Sequence, residues 1–160
     1  MLFRTHLAFA ILFILIFISF VDSKIWFIVF ALVGFVVPDL DSKESRFGRK
    51  LFFRPIQFFL KHRGLLHSLT FGFLVSLALS IVFPVIGVGF FVGFSSHIFS
   101  DSFTKEGIAP FWPFKKRSQG FIETGSFMEW IIFYSLVFID TLIFVLLFIN
   151  HRGPFFAILS

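Results

Sequence analysis

The chain has 160 residues, of which 58% are hydrophobic and only 14% are charged, with a net charge of +5. Soluble domains carry about 25% charged residues, so this composition excludes a water-soluble globule and predicts one compact membrane domain. Cysteine is absent from the sequence. Disulfides and thiolate metal sites are therefore excluded, and any metal must be held by histidine, carboxylate or carbonyl ligands.

Five apolar segments follow one another along the chain, at residues 7–21, 25–38, 65–83, 86–104 and 127–149. They predict an all-α fold, a polytopic bundle of about five membrane helices. A spanning helix needs about 20 residues. Because the first two segments are nearer 15, they either recruit flanking residues, thin the bilayer or form a re-entrant hairpin. The first segment lacks a small-residue cleavage site, which favours a retained helix over a signal peptide.

Basic residues set the expected orientation. If the N-terminus lies in the cytoplasm, twelve of the fourteen Lys and Arg residues are on the cytoplasmic side, and only Lys24 and Arg152 are outside. The positive-inside rule therefore predicts a multi-pass protein of the inner membrane with a cytoplasmic N-terminus. Residues 42–63 mix basic and aromatic side chains, which favours an amphipathic helix in the cytoplasmic interface over a plain loop.

Most histidines and aspartates collect at one membrane face on this topology. Seven of them come from four helix ends: His6, Asp39, Asp41, His62, His67, His97 and Asp101. His97 and Asp101 are spaced i, i+4 and share a helix face. Imidazole and carboxylate groups together suit a divalent metal, zinc first, with manganese or iron as alternatives. Each residue alone has a structural interpretation, as an interfacial histidine or a helix cap, but together they predict a metal site.

Roles can be assigned to the members of this set. His67, His97, Asp101 and Asp39 are the expected direct ligands, followed by His6 and His62. Asp41 is expected to act as a general base or to orient a ligand imidazole. Arg63 is placed to clamp a phosphate or carboxylate oxygen, and binding lipid headgroups is an equally open role.

Two further acids lie in the fifth segment. Glu129 is at its start, where it either joins the cluster or balances the helix dipole. Asp140 lies too deep to join the cluster, so it is expected to pair with another helix or to line a cavity.

Several sequence blocks carry a family resemblance. They are Thr5-His6-Leu7, Pro38-Asp39-Leu40-Asp41, residues 62–68 (HRGLLHS), Ser96-His97 with Asp101-Ser102-Phe103-Thr104 and Gly107, and Phe111-Trp112-Pro113. In this order they resemble the YdjM-like family of membrane-bound metal-dependent hydrolases. The resemblance covers residues 5–113 and implies a multi-helix inner-membrane protein with a hydrolytic metal site.

We therefore expect a membrane-bound metal-dependent hydrolase at the cytoplasmic interface. The metal would lower the pKa of a bound water towards neutrality. A site at headgroup depth favours an amphiphilic substrate, such as a lipid or lipid-phosphate ester. The alternatives are a membrane protein with a structural metal and, less favoured, a transporter, which would need polar residues throughout the bilayer. Nucleic acid is not an expected partner, because the basic loops contain no recognised reader motif.

Overall fold

The computed structural model describes residues 1–41, 65–114 and 116–149, with only the backbone described at Asp41. Over these ranges the chain is all-α. The helices are α1 (Phe3–Phe17), α2 (Lys24–Val36), α3 (Leu69–Val82), α4 (Pro84–Ser102) and α5 (Phe127–Ile149). Three short 3₁₀ turns, Ile18–Phe20, Val37–Asp41 and Leu65–His67, extend or precede them. The predicted all-α fold with five helices is confirmed.

Within the described ranges, three helical stretches are long and apolar enough to cross a membrane: Phe3–Phe20, Pro84–Ser102 and Phe127–Ile149. The first begins at Phe3, earlier than the apolar segment alone indicated, because Arg4 and His6 also adopt helical structure. α2 and α3 are apolar but shorter, with 13 and 14 residues. α3 begins late in its apolar segment because Ser68 caps it, accepting the Phe71 N–H at 3.2 Å.

α4 packs closely against α2, with the two helices running in the same direction. The contact depends on small residues: a Cβ atom at Gly93 would lie 1.7 Å from the Ala31 carbonyl oxygen, and one at Gly34 would lie 2.1 Å from that of Phe90. Such close backbone approach is typical of helix pairs in membranes, where dispersion replaces the hydrophobic effect as the main attraction. It places the end of α2, with Asp39 just beyond it, beside the end of α4.

One end of the bundle gathers the starts of α1, α3 and α5 and the ends of α2 and α4; we call it the site end. The segment 103–126 folds back over it. Ile108 and Ile122 from this segment are 1% and 2% exposed, and the Leu69 N–H donates to the Pro110 carbonyl at 2.7 Å. At the surface of the segment, the ammonium group of Lys105 hydrogen-bonds Glu123 at 2.8 Å and lowers the pKa of that carboxyl group.

Candidate metal centre

Three buried side chains form the core of the centre. His6, His97 and Asp101 each offer one ligand atom, and these atoms all lie within 4.8 Å of one another. His6 Nε2 is 3.3 Å from Asp101 Oδ1, and His97 Nε2 is 3.7 Å from Asp101 Oδ2. The three residues are 5%, 1% and 3% exposed. A buried carboxylate is costly unless cations or hydrogen bonds surround it, so this arrangement favours a bound positive charge.

His67 and Asp39 extend the core on two sides. His67 Nε2 is 3.8 Å from Asp101 Oδ2, and Asp39 Oδ1 is 4.0 Å from His97 Nε2. The His67 side chain is only 3% exposed, whereas the Asp39 side chain is 21% exposed. Three imidazoles and two carboxylates from four helix ends therefore meet, and the side of Asp39 is the most open.

Each core residue is positioned by its helix. His97 and Asp101 lie one turn apart on α4, so both side chains point to the same side. His6 lies in the first turns of α1, and its ring stacks on that of His97 with centroids 4.4 Å apart and an interplanar angle of 9°. α1 therefore runs antiparallel to α4 and delivers its imidazole to the same point.

Hydrogen bonds to the Nδ1 atoms decide which ring nitrogens carry protons. His97 Nδ1 is 3.0 Å from the Phe35 carbonyl oxygen, which can only accept, so Nδ1 carries the hydrogen. His6 Nδ1 contacts Ser100 Oγ, whose own hydrogen is donated to the His97 carbonyl at 2.7 Å. Ser100 Oγ therefore accepts from His6 Nδ1. When a ring with its hydrogen on Nδ1 is neutral, Nε2 presents a lone pair to the carboxylates, the arrangement typical of metal-binding histidines.

The distances between opposing atoms also fit a shared ion. Two atoms each about 2.1 Å from a tetrahedral zinc lie roughly 3.4 Å apart. The three contacts from imidazole Nε2 atoms to Asp101 are 3.3, 3.7 and 3.8 Å. The two longer contacts exceed normal hydrogen-bond lengths. The donor set and its spacing therefore fit a divalent cation shared by His6, His97 and Asp101, with His67 and Asp39 beside them.

The Met1 amino group also approaches the centre, 3.5 Å from Asp101 Oδ1. The next residue, Leu2, is held by Glu129. The Leu2 N–H donates to Glu129 Oε1 at 2.6 Å, and the Gly125 N–H donates to Glu129 Oε2 at 2.6 Å. Glu129 is 1% exposed. It therefore joins the starts of α1 and α5 through backbone hydrogen bonds and holds the helix that carries His6.

Comparisons with known proteins give the family of the chain. A family model described as YdjM inner membrane protein matches residues 1–159. The chain belongs to this family. The uncharacterized protein YvsG of Bacillus subtilis (strain 168) is 30% identical over 122 residues, which cover 72% of this chain and 76% of YvsG. No solved structure matches the chain. The resemblance inferred from the motifs is thus confirmed.

Membership of the YdjM family, together with helices long and apolar enough to cross a bilayer, identifies a protein of the inner membrane. Some predicted site residues cannot be placed. His62 and Arg63 lie outside the described residues, as does segment 42–63, which was expected to lie in the interface. Asp41 ends the 3₁₀ turn after α2, and its side chain also lies outside the described part of the structure. The roles assigned to these residues stay predictions.

Sequence reasoning missed two residues that support the centre in this YdjM-family chain. Ser100 holds the His6 ring by accepting from its Nδ1 atom, while its own hydroxyl donates to the His97 carbonyl. Its position three residues after His97 was the available signal, because it places the hydroxyl at the same helix end. For Glu129 the sequence left two roles open, as a member of the cluster or as a partner of the helix dipole. No local pattern indicated that it binds the backbone of Leu2, 127 residues away.

Proposed function

We propose that this YdjM-family protein is a metal-dependent hydrolase that acts on a lipid or lipid-phosphate ester at the cytoplasmic face of the inner membrane. The observation that carries the proposal is the pairing of imidazole lone pairs with carboxylate oxygens. His6 and His97 both present Nε2 to Asp101 while their Nδ1 hydrogens are used elsewhere. When both rings are neutral, their Nε2 lone pairs repel the carboxylate oxygens, and a shared divalent ion would turn this repulsion into attraction, in addition to the charge of the Met1 amino group 3.5 Å from Asp101 Oδ1.

The residues define what would hold the ion and which ion fits. His6, His67, His97 and Asp101 would bind it, with Asp39 as a further ligand or as a base on the open side. Mixed nitrogen and oxygen ligands favour zinc, and manganese or iron fit the same set less specifically. When bound, such an ion supplies Lewis acidity, which polarises an ester or phosphoryl oxygen and activates water.

The chain's own groups would orient the reaction. The Phe35 carbonyl and Ser100 hold the His97 and His6 rings in the orientation that aims Nε2 inward. Asp39, the most exposed acid of the cluster, lies where a substrate oxygen or water can approach. Asp41 remains our choice for general base or orienting group, and Arg63 for the residue that clamps a phosphate or carboxylate oxygen.

The substrate class is inferred from the position of the site. The centre lies at the end of the bundle, where helix ends meet the headgroup layer, and twelve of fourteen basic residues are assigned to the same side in the orientation with the N-terminus inside. Anionic lipids concentrate near such basic segments. An ester or phosphoester at headgroup depth is therefore the bond that the site would meet most often.

The test combines metal analysis with activity. We expect purified wild-type protein to contain about one divalent ion per chain, and the double variant His67→Ala, Asp101→Ala to contain almost none. Asp22→Asn, a change at the opposite end of the bundle, is the matched control and should leave the metal content unchanged. A screen of lipid and lipid-phosphate esters should reveal hydrolysis that chelator abolishes and added zinc restores. Hydrolysis that persists in chelator, or full metal content in the double variant, would refute the proposal.

One observation favours a second candidate, a structural metal that fixes four helix ends. His6, His67, His97 and Asp101 are at most 5% exposed, which is typical of closed structural sites. Cobalt substitution separates the two roles. In a hydrolase, inorganic phosphate should change the visible spectrum of the cobalt protein by entering an open coordination position. An unchanged spectrum at saturating phosphate would favour the structural role.

A further inference from the structure

A groove lies between α1 and α5, on the side of α1 away from the metal centre. Its volume is about 350 Å³, and its lining includes Arg4, Leu7 and Ile11 from α1 and Phe133, Asp140 and Thr141 from α5. Pockets of roughly 300–1,000 Å³ are typical of small-molecule sites. Most of its wall is apolar, but it contains one basic and one acidic group.

Asp140 is the unusual member of this groove. It lies in a helix of 23 residues that otherwise consists almost entirely of apolar side chains, and it is 8% exposed. Its Oδ1 atom is buried and has no hydrogen-bond partner among the described residues. An acid within a membrane helix is costly and usually marks a functional contact. No residue in the described part of the chain supplies the partner of Asp140, so the groove leaves a place for a hydrogen-bonding group of a bound molecule.

Arg4 marks the other end of the groove. Its Cζ atom lies 3.2 Å from the centre of the Trp130 ring, a cation–π stack that fixes the guanidinium plane. Its Nε atom is buried and has no partner within the described part of the chain. A guanidinium fixed on an aromatic ring presents its edge for carboxylate or phosphate oxygens. Arg4 is thus suited to an anionic group.

The two groups lie at different depths. Arg4 is in the first turn of α1 at the site end, whereas Asp140 is about 20 Å along α5 from its start at the same end. The lining on α1 runs from Arg4 to Ile11, about 10 Å along the helix. The groove therefore extends from the headgroup level into the hydrocarbon layer, with the anion-binding group outermost.

We propose that this groove binds one membrane amphiphile with an anionic head on Arg4 and a hydroxyl group partway along its chain that hydrogen-bonds Asp140. Charge and depth argue for this occupant. A plain acyl chain would leave Asp140 without a partner, and a headgroup alone would not reach it. The site is separate from the metal centre and does not depend on hydrolysis.

The test uses stearate and 12-hydroxystearate as probes, with binding to the purified full-length protein in detergent measured by native mass spectrometry. We expect 12-hydroxystearate to bind about fivefold more tightly than stearate, the effect of one added hydrogen bond. Asp140→Leu should abolish this preference, and Asp140→Asn should retain part of it, because an amide still hydrogen-bonds. Arg4→Gln should weaken both acids by about tenfold, since it removes a charged hydrogen bond common to both.

Thr141→Val is the matched control. Thr141 also lines the groove, but its hydroxyl already donates to the Val137 carbonyl at 2.7 Å, so the preference should survive. Equal binding of the two acids by the wild type, or a preference that persists in Asp140→Leu, would overturn the proposal. So would a dimer of the wild type that Asp140→Leu or Asp140→Asn dissociates, because the partner of Asp140 would then be a second copy of the chain.

Discussion

Asp101 and Asp140 are both aspartates buried in apolar helices, 3% and 8% exposed, but their surroundings differ. Asp101 has three imidazoles within 3.8 Å, from α1, α4 and the turn before α3. Asp140 has an oxygen without any partner among the described residues and lies beside a groove. The comparison shows that burial alone does not define the chemistry of an acid. Under our two proposals, its neighbours decide whether it binds an ion within the protein or a group supplied from the membrane.

The largest expected difference between the two acids is in metal binding. Asp101→Asn should lower the affinity for zinc by more than about 100-fold, since removing a ligand costs more than removing a residue that orients one. Asp140→Asn should leave the affinity within about twofold, because distant sites act independently. Competition with a chromophoric chelator measures both affinities. Equal losses of zinc affinity in the two variants would contradict the assignment of Asp101, and not Asp140, to the metal centre.

A smaller effect is expected from the hydroxyl that holds His6. Ser100→Ala removes the acceptor of the His6 Nδ1 hydrogen and should lower zinc affinity by about 10- to 100-fold. Ser102→Ala is the matched control, because Ser102 also donates to a carbonyl in its own helix, that of Phe99, but lies on the exposed side and hydrogen-bonds none of the described histidines. Its zinc affinity should equal that of the wild type in the same chelator assay. A wild-type zinc affinity in Ser100→Ala would show that the hydrogen bond from His6 to Ser100 does not orient His6 for metal binding.

The sequence predicted the apolar helices well, since long hydrophobic segments have few alternatives in a membrane. It also indicated that one membrane face holds five site residues: His6, His67, His97, Asp39 and Asp101. Successive helices cross in alternating directions, so the order of the helices determines which helix ends lie at the same face. It does not determine the distances between the side chains at that face. The convergence of these side chains depends on the close approach of α2 and α4 at Gly93, on the stack of His6 on His97 and on Glu129. These are contacts between distant parts of the chain that no local spacing encodes.

The groove is a second case in which the sequence did not determine contacts between distant segments. Sequence alone indicated that Asp140 is too deep for the metal centre and left open a helix partner or a cavity. The structure places it in the lining of the groove between α1 and α5, next to the packed cluster of Ala8, Phe9 and Leu136. The position of Arg4 at the outer end of the groove depends on its stack with Trp130, again a contact between distant segments.

The smallest expected effect concerns stability without added lipid. A buried polar group without a partner costs about 1–3 kcal/mol, so Asp140→Leu should raise the free energy of unfolding of delipidated protein by about 1 kcal/mol. Asp101→Leu should lower it when zinc is present, because the bound ion stabilises only a folded site that retains its ligands. Denaturation in mixed micelles with zinc held constant measures both changes. If Asp140→Leu were instead destabilising in delipidated protein, Asp140 would have a partner within the chain, and the groove would lose the group that selects its ligand.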